Sequence, residues 1–394
     1  MKKWILHILL VGVLGILAAS CSQEADDPTV DSRGEKEKVL IRFTIALDEP
    51  KAASRTSWDG YDPDPDDSNY SDGPQAEDDT EYMEIGSVAE NYINPSTVQV
   101  LIYDMNGTPM GELKEVTVKR DTGDDNNNQH LYDLTGAFEA DADQISSLDF
   151  KLMVFANTPK KSDLNNPDTW QFAYPLADGA GIPMWGIATF TGVDLSGRTS
   201  EGNAAELSEP IYMLRSMAKI EVTLNSEANG GYTLKSVTLN KAMKNGLVMP
   251  KLRTDEPADV TIKGLESTEA LGVEEVFNPS DGDVGEASFT ESESENTYYI
   301  YVPEYDASSN GNLEIKLALT NGTKDETGDD KITNKSFIHG GYSEGAYSEI
   351  SWNVVRNHYY KYTVSVQNGV DLVVIITINP WNYRDVTYKN TPLT

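Results

Sequence analysis

Val39-Leu40-Ile41-Arg42-Phe43-Thr44-Ile45-Ala46-Leu47 alternates between apolar and other residues. Ile41, Phe43, Ile45 and Leu47 fall on one side; Arg42, Thr44 and Ala46 fall on the other. Successive side chains of a strand point to opposite faces, so a period of two predicts a strand buried on one side. Outward from it the pattern recurs. Residues 99–104 form a second run, closed by Asn106-Gly107, a hairpin turn signal. Residues 150–156 are a short buried run ending at Asn157. Further runs lie at 219–224, 234–239, 298–303, 313–319, 359–366 and 372–378. In 313–319, Leu313, Ile315, Leu317 and Leu319 alternate with Glu314, Lys316 and Ala318. Clusters of Gly, Pro, Asn and Asp separate the runs. No amphipathic helix longer than three turns is visible, although 140–148 and 266–277 leave room for short ones. Many short strands between turn signals predict an all-β chain built as β-sandwiches. A loop-rich stretch at 194–210 gives way to a new strand near Arg215, which predicts domains at 38–214 and 215–394.

The N-terminus reads differently. Met1-Lys2-Lys3 is basic, residues 4–17 are apolar but too short to span a bilayer, and Ala18-Ala19-Ser20 are small. Cys21, the one cysteine of the chain, follows directly. This arrangement resembles the lipobox of bacterial lipoproteins, with Ala18 where Leu is commoner. It implies a signal peptide over 1–20 and lipid attached to Cys21, so that the outer-membrane lipid becomes a partner. Residues 21–37 then form an acidic tether, and their acidic start resembles the surface-export signal of Bacteroidota lipoproteins. The plain alternative is a secretory signal with a chance cysteine behind it.

Composition narrows the function. The 394 residues are enough for two domains with cores of their own, and their net charge of −33 argues against nucleic acid as a partner. With one Cys there is no intrachain disulfide, so stability rests on burial. Residues 57–84 hold eleven acidic residues, and no Lys or Arg occurs between Arg55 and Lys114. Asp59-Gly60-Tyr61-Asp62-Pro63-Asp64 invites a calcium reading, but the sixth-position Gly and closing Glu of an EF-hand loop are missing. A solvated loop fits this composition better. Four His occur, His7, His130, His339 and His358, with no pair at helical ligand spacing. Neither a nucleophile elbow nor a phosphate loop is present. The expectation is a structural or binding protein, not an enzyme, with no catalytic residue, metal or cofactor.

Several strings resemble the fimbrillins, the type V pilins of Bacteroidota. They are Phe150-Lys151-Leu152-Met153-Val154-Phe155-Ala156-Asn157, Ile182-Pro183-Met184-Trp185-Gly186, and Leu214-Arg215-Ser216-Met217-Ala218-Lys219-Ile220. Tyr301-Val302-Pro303-Glu304-Tyr305, Arg356-Asn357-His358-Tyr359-Tyr360 and Ile378-Asn379-Pro380-Trp381-Asn382 continue the series in order. Physically most of these read as structural. Pro183 and Gly186 are expected to shape a turn with Met184 and Trp185 as packing residues, Pro303 to end a strand, and Trp381 to cap a core edge.

The resemblance implies two tandem transthyretin-like β-sandwich domains, lipidation, export to the outer-membrane surface and assembly into a fimbrium with other fimbrial subunits. It also implies a cut at an Arg after the first strand. Arg55, followed by Thr56, is the candidate: Arg33 precedes the strand and Arg42 lies inside it. Losing the strand would vacate a groove now filled by Ile41, Phe43, Ile45 and Leu47. A strand of another subunit would fill it by β-augmentation, recovering roughly 6–12 kcal/mol for four large side chains before ordering costs. The continuous apolar run carrying Leu372, Val374 and Ile376 is a candidate for joining subunits, or else an ordinary core strand. Two other readings stay open. One is a fimbrial anchor that keeps its first strand. The other is a monomeric lipid-anchored surface protein that binds a glycan or another host or bacterial surface ligand.

Overall fold

The computed structural model describes residues 36–47, 90–120, 131–164, 166–177, 179–249, 283–321, 332–343, 346–351, 353–354, 356–367, 371–380 and 386–388. Cys21, Arg55, Thr56, the acidic loop 57–84, the helical candidate at 266–277 and Trp381 lie outside them. Among the described residues the chain is all-β apart from 3-10 turns and one helical turn at Ala307–Asn310.

The first ten strands are β1 (Lys36–Ala46), β2 (Gln99–Tyr103), β3 (Pro109–Glu112), β4 (Lys114–Arg120), β5 (Leu131–Asp141), β6 (Leu148–Ala156), β7 (Gln171–Ala173), β8 (Met184–Val193), β9 (Ala205–Glu206) and β10 (Ile211–Arg215). They make a sheet in the order β3-β2-β6-β8-β10-β1-β5-β4, with β9 also on β1 and β7 outside it. The end strands β3 and β4 are consecutive in the chain and joined through Leu113, so the chain crosses from one end of the sheet to the other. Phe138 of β5 and Phe150 of β6 are not on neighbouring strands, yet their rings lie 6.4 Å apart. The sheet thus folds over on itself around one core, which includes Ile41, Phe43, Leu134, Phe150 and Val154.

Local chemistry fixes the corners. The β2–β3 turn forms at Asn106-Gly107: Asp104 Oδ1 accepts from the amides of Asn106 (2.9 Å) and Thr108 (2.7 Å), and Gly107 takes φ 83°. Strand β6 ends where Asn157 turns left-handed at φ 59°. Its amide nitrogen donates to the carbonyls of Tyr92 (2.7 Å) and Ile182 (2.8 Å), and its Oδ1 accepts from Asn94 N (2.8 Å). Two sequence expectations need correction. Residues 140–148 are not helical: they finish β5, turn through Gln144 N to Asp141 O and Ser147 N to Gln144 O, and begin β6. Gly186 is not in a turn but inside β8, where an added Cβ would run into Tyr212 O and, at 2.8 Å, Met213 Sδ. It is glycine because β8 and β10 pack too closely for a side chain. Met184 and Trp185 are fully buried, as expected.

The remaining strands are β11 (Met217–Leu224), β12 (Thr233–Met243), β13 (Asn245–Leu247), β14 (Val284–Ser288), β15 (Thr290–Glu291), β16 (Thr297–Pro303), β17 (Glu314–Thr320), β18 (Ile332–Ile338), β19 (Gly340–Ser343), β20 (Ala346–Ser351), β21 (His358–Gln367), β22 (Asp371–Pro380) and β23 (Val386–Tyr388). Sheets β15-β16-β11-β21-β22-β23 and β14-β12-β17-β18 face each other across a second core. Phe337 on β18 meets Tyr362 on β21 at 4.9 Å across that sandwich. The alternation at 313–319 appears as expected, with Leu313, Ile315, Leu317 and Leu319 buried in this core.

Ser216 alone separates β10 from β11; Met217 belongs to the first core and Ala218 to the second. Strand β13 reaches back to pair with β7, and Val248 and Met249 join the first core. Two buried arginines tie this junction. Arg215 donates to Glu90 O (3.4 Å), Asn91 Oδ1 and, from its backbone, Asn357 Oδ1 (3.3 Å). Arg356 pairs with Glu304 (2.6 Å) and donates to Val248 O (2.8 Å). Buried ions need such partners, because an unpaired charge inside is costly.

Candidate functional site: the groove filled by the first strand

Strand β1 lies in the interior of its sheet. It pairs antiparallel with β5 along its whole length, from Lys36↔Asp141 to Ala46↔Leu131. Its other edge runs parallel to β9 at Ile41↔Ala205 and Arg42↔Glu206, and to β10 at Ile45↔Ile211 and Ala46↔Tyr212. Leu40 N donates to Arg198 O (2.6 Å) and Leu207 N to Arg42 O (2.8 Å), completing that edge.

The inward face matches the sequence reading. Ile41, Phe43, Ile45 and Leu47 are 3% exposed or less, and Val39 joins them at 0%. Each enters a different environment. Val39 lies opposite Phe138, Ile41 opposite Gly136, Phe43 opposite Leu134 and Ile45 opposite Tyr132. Tyr132 closes that end: its hydroxyl donates to Asn91 O (2.8 Å) and accepts from Ile93 N (3.1 Å). Burial pushes its phenol pKa up.

The outward face carries two ion pairs and further polar hydrogen bonds that alternation alone does not disclose. Lys38 pairs with Glu115 (2.7 Å) and Arg42 with Glu206 (3.1 Å). Arg42 also donates to Glu201 O (2.8 Å), and Thr44 Oγ1 to Asp133 Oδ1 (2.9 Å). Glu206 stands across from Arg42 in the ladder and Asp133 across from Thr44, so strand register itself places these contacts. Finding them in the sequence requires knowing which strands neighbour β1.

The C-terminal candidates sit elsewhere. Leu372 and Val374 are buried in the second core, on a strand that pairs with β21 over its full length. Ile376 pairs with Tyr388 of β23, and its side chain lies outside the described residues. Leu372 and Val374 therefore build the second sandwich, and drawing them out to join a neighbour would empty that core. The groove and these residues are not brought together.

Other chemistry-bearing side chains serve the fold. His358 Nδ1 contacts Arg356 O at 2.8 Å. His339 is fully buried, with Nδ1 2.6 Å from Tyr362 OH; burial lowers its pKa to about 4, so it is neutral at pH 7. Glu90 accepts from Lys219 (2.9 Å) and Tyr301 OH (2.5 Å); burial, then the Glu90 charge, push that phenol far up. Among the described residues no group of three or more His, Cys, Asp or Glu is placed to hold a metal ion.

No protein-family model matches the chain, and no curated protein matches it. Among solved structures, it is similar to the tip fimbrial protein Mfa3 of Porphyromonas gingivalis, in a C-terminally truncated form. The identity is 14% and the TM-score 0.49, covering 88% of this chain and 100% of that one. It is also similar to a fimbrial assembly protein of Parabacteroides distasonis, with 10% identity and a TM-score of 0.45, covering 90% and 100%.

Proposed function

We propose that this chain is a subunit, stalk or tip, of a fimbria on the outer-membrane surface, anchored through lipid on Cys21 until maturation. Proteolysis after Arg55 frees β1 with the lipid, leaves Thr56 as the new N-terminus, and opens an acceptor groove for another subunit. The observation that carries this reading is the placement of β1. It is an interior strand that, together with Leu47 just beyond it, buries five large apolar side chains, and along the chain it is followed by residues 48–89 before the next described segment. It can therefore leave without displacing any other strand, while its loss leaves β5, β9 and β10 with unpaired edges. Five such side chains correspond to about 7–15 kcal/mol of burial, a large driving force for refilling.

The test is Arg55→Ala in cells. The expected product is a lipid-bound, full-length monomer, seen by intact mass and by loss of surface polymers. A variant that still loses its first strand and polymerises normally would refute the proposal. If the wild type itself retains β1 at the surface, an anchor subunit or a monomeric adhesin is the better description.

A further inference from the structure

We infer that the groove selects its incoming strand by charge: the partner carries cationic side chains on its outward face, and strand β22 of a second copy does not qualify. This rests on the proposal that β1 leaves. Three outward positions of β1 face carboxylates: Lys38 faces Glu115, Arg42 faces Glu206 and Thr44 faces Asp133. With β1 gone, the rim keeps these acids; Glu115 and Glu206 lose the cations of β1 paired with them, and Asp133 loses a hydroxyl donor but still has Lys119 across from it on β4. The groove floor is apolar and tolerant, since many alternating strands can fill sites opposite Phe138, Gly136, Leu134 and Tyr132. Discrimination therefore falls to the rim, where opposite charge favours the incoming strand and like charge penalises it. The net charge of −33 adds long-range steering of the same sign.

Strand β22 fails this rule. Its sequence, Asp371-Leu372-Val373-Val374-Ile375-Ile376-Thr377-Ile378-Asn379-Pro380, contains no Lys or Arg. Seating Leu372, Val374 and Ile376 in the places of Ile41, Phe43 and Ile45 puts Val373 against Glu206 and Ile375 against Asp133. Shifting it by one residue still supplies no cation. The fitting partner is a strand of a separate subunit with apolar residues at four or five alternate positions. It carries Lys or Arg before the first of them and again between the second and third.

The test uses the full chain after signal removal, with a specific protease sequence inserted within residues 57–84. After cutting, the severed strand is exchanged against labelled peptides. The probes are residues 36–47, the same peptide with Lys38→Glu and Arg42→Glu, and residues 371–380. The natural peptide should bind at least about tenfold more tightly than the reversed one, with the gap narrowing in high salt. The 371–380 peptide should bind no better than the reversed one. Glu206→Arg in the protein should restore the peptide carrying Arg42→Glu. Equal binding of natural and reversed peptides, or tight binding of 371–380, overturns the charge rule and leaves the groove reading intact. If no peptide binds, including the natural one, both fall.

Discussion

Strands β1 and β22 are both rich in apolar residues, β1 in alternation and β22 as a continuous run, but they hold opposite places in their sandwiches. Strand β1 is interior, first in the described chain, and flanked by β5 on one side and by β9 and β10 on the other. Strand β22 is next to last in its sheet, and among the described residues its outer edge is covered at Ile376, Thr377 and Ile378 by β23. Removing β1 opens the interior of its sheet. Removing β23 uncovers part of an edge. Apolar content does not distinguish the two; position in the ladder and the residues flanking each run do.

The sharpest way to break this comparison is a charge in each core. Ile315→Asp should destabilise the second sandwich by about 5 kcal/mol, whereas the neighbouring Glu314→Lys should change stability by less than about 0.5 kcal/mol. Denaturant unfolding measures both, and equal effects would refute the assigned faces. In the first sandwich, Phe43→Ala should cost about 3–5 kcal/mol and weaken retention of β1 after a cut in the loop. Peptide release followed by mass spectrometry would show it, and unchanged retention would mean that Phe43 is not seated in the groove.

Acid should separate the two halves further. His339 lies in the second sandwich, with a folded pKa of about 4 against 6.5 unfolded. The unfolded chain therefore binds its proton first as pH falls. Stability is full above pH 6.5 and declines toward pH 4, by about 3 kcal/mol for this one group. His339→Gln should flatten that part of the stability–pH curve; an unchanged curve would exclude His339 as the source. The smallest effect is expected at the groove rim. Arg42→Ala should cost about 1 kcal/mol or less, because Arg42 is 38% exposed and its pair is screened by solvent. A larger loss in 0.5 M salt than at low salt would contradict that account.

Much of the fold was legible in the sequence where the period was clean. Residues 39–46 and 314–319 became strands with the expected inward faces, although Ala46, expected outward, is buried, and 359–366 became a strand as expected, since alternation reports burial directly. Strand β5 was not foreseen: Thr135-Gly136 interrupts its alternation, and a Cβ added at Gly136 would sit only 3.2–3.3 Å from Leu113 and Val116. The helical possibility at 140–148 is not realised because Ile145 is buried by a turn and Leu148 by the start of β6, rather than both by one face of a helix. Arg215 read only as a domain marker. Its full burial depends on Glu90, Asn91 and Asn357, which converge from distant parts of the chain. The groove lining was half visible: the inward side chains of β1 announce themselves, whereas Glu206, Asp133 and Glu115 acquire meaning from strand order alone.

The unbroken pairing of β1 with β5 has a mechanical consequence. Tension applied along β1 loads its ladder in shear, so many hydrogen bonds must fail together. Strand β23, with three paired residues, can be peeled one pair at a time. Single-molecule pulling from the β1 end should therefore show a much higher rupture force than pulling from the β23 end. A filament whose joints reuse the β1 seat would inherit that resistance at every link.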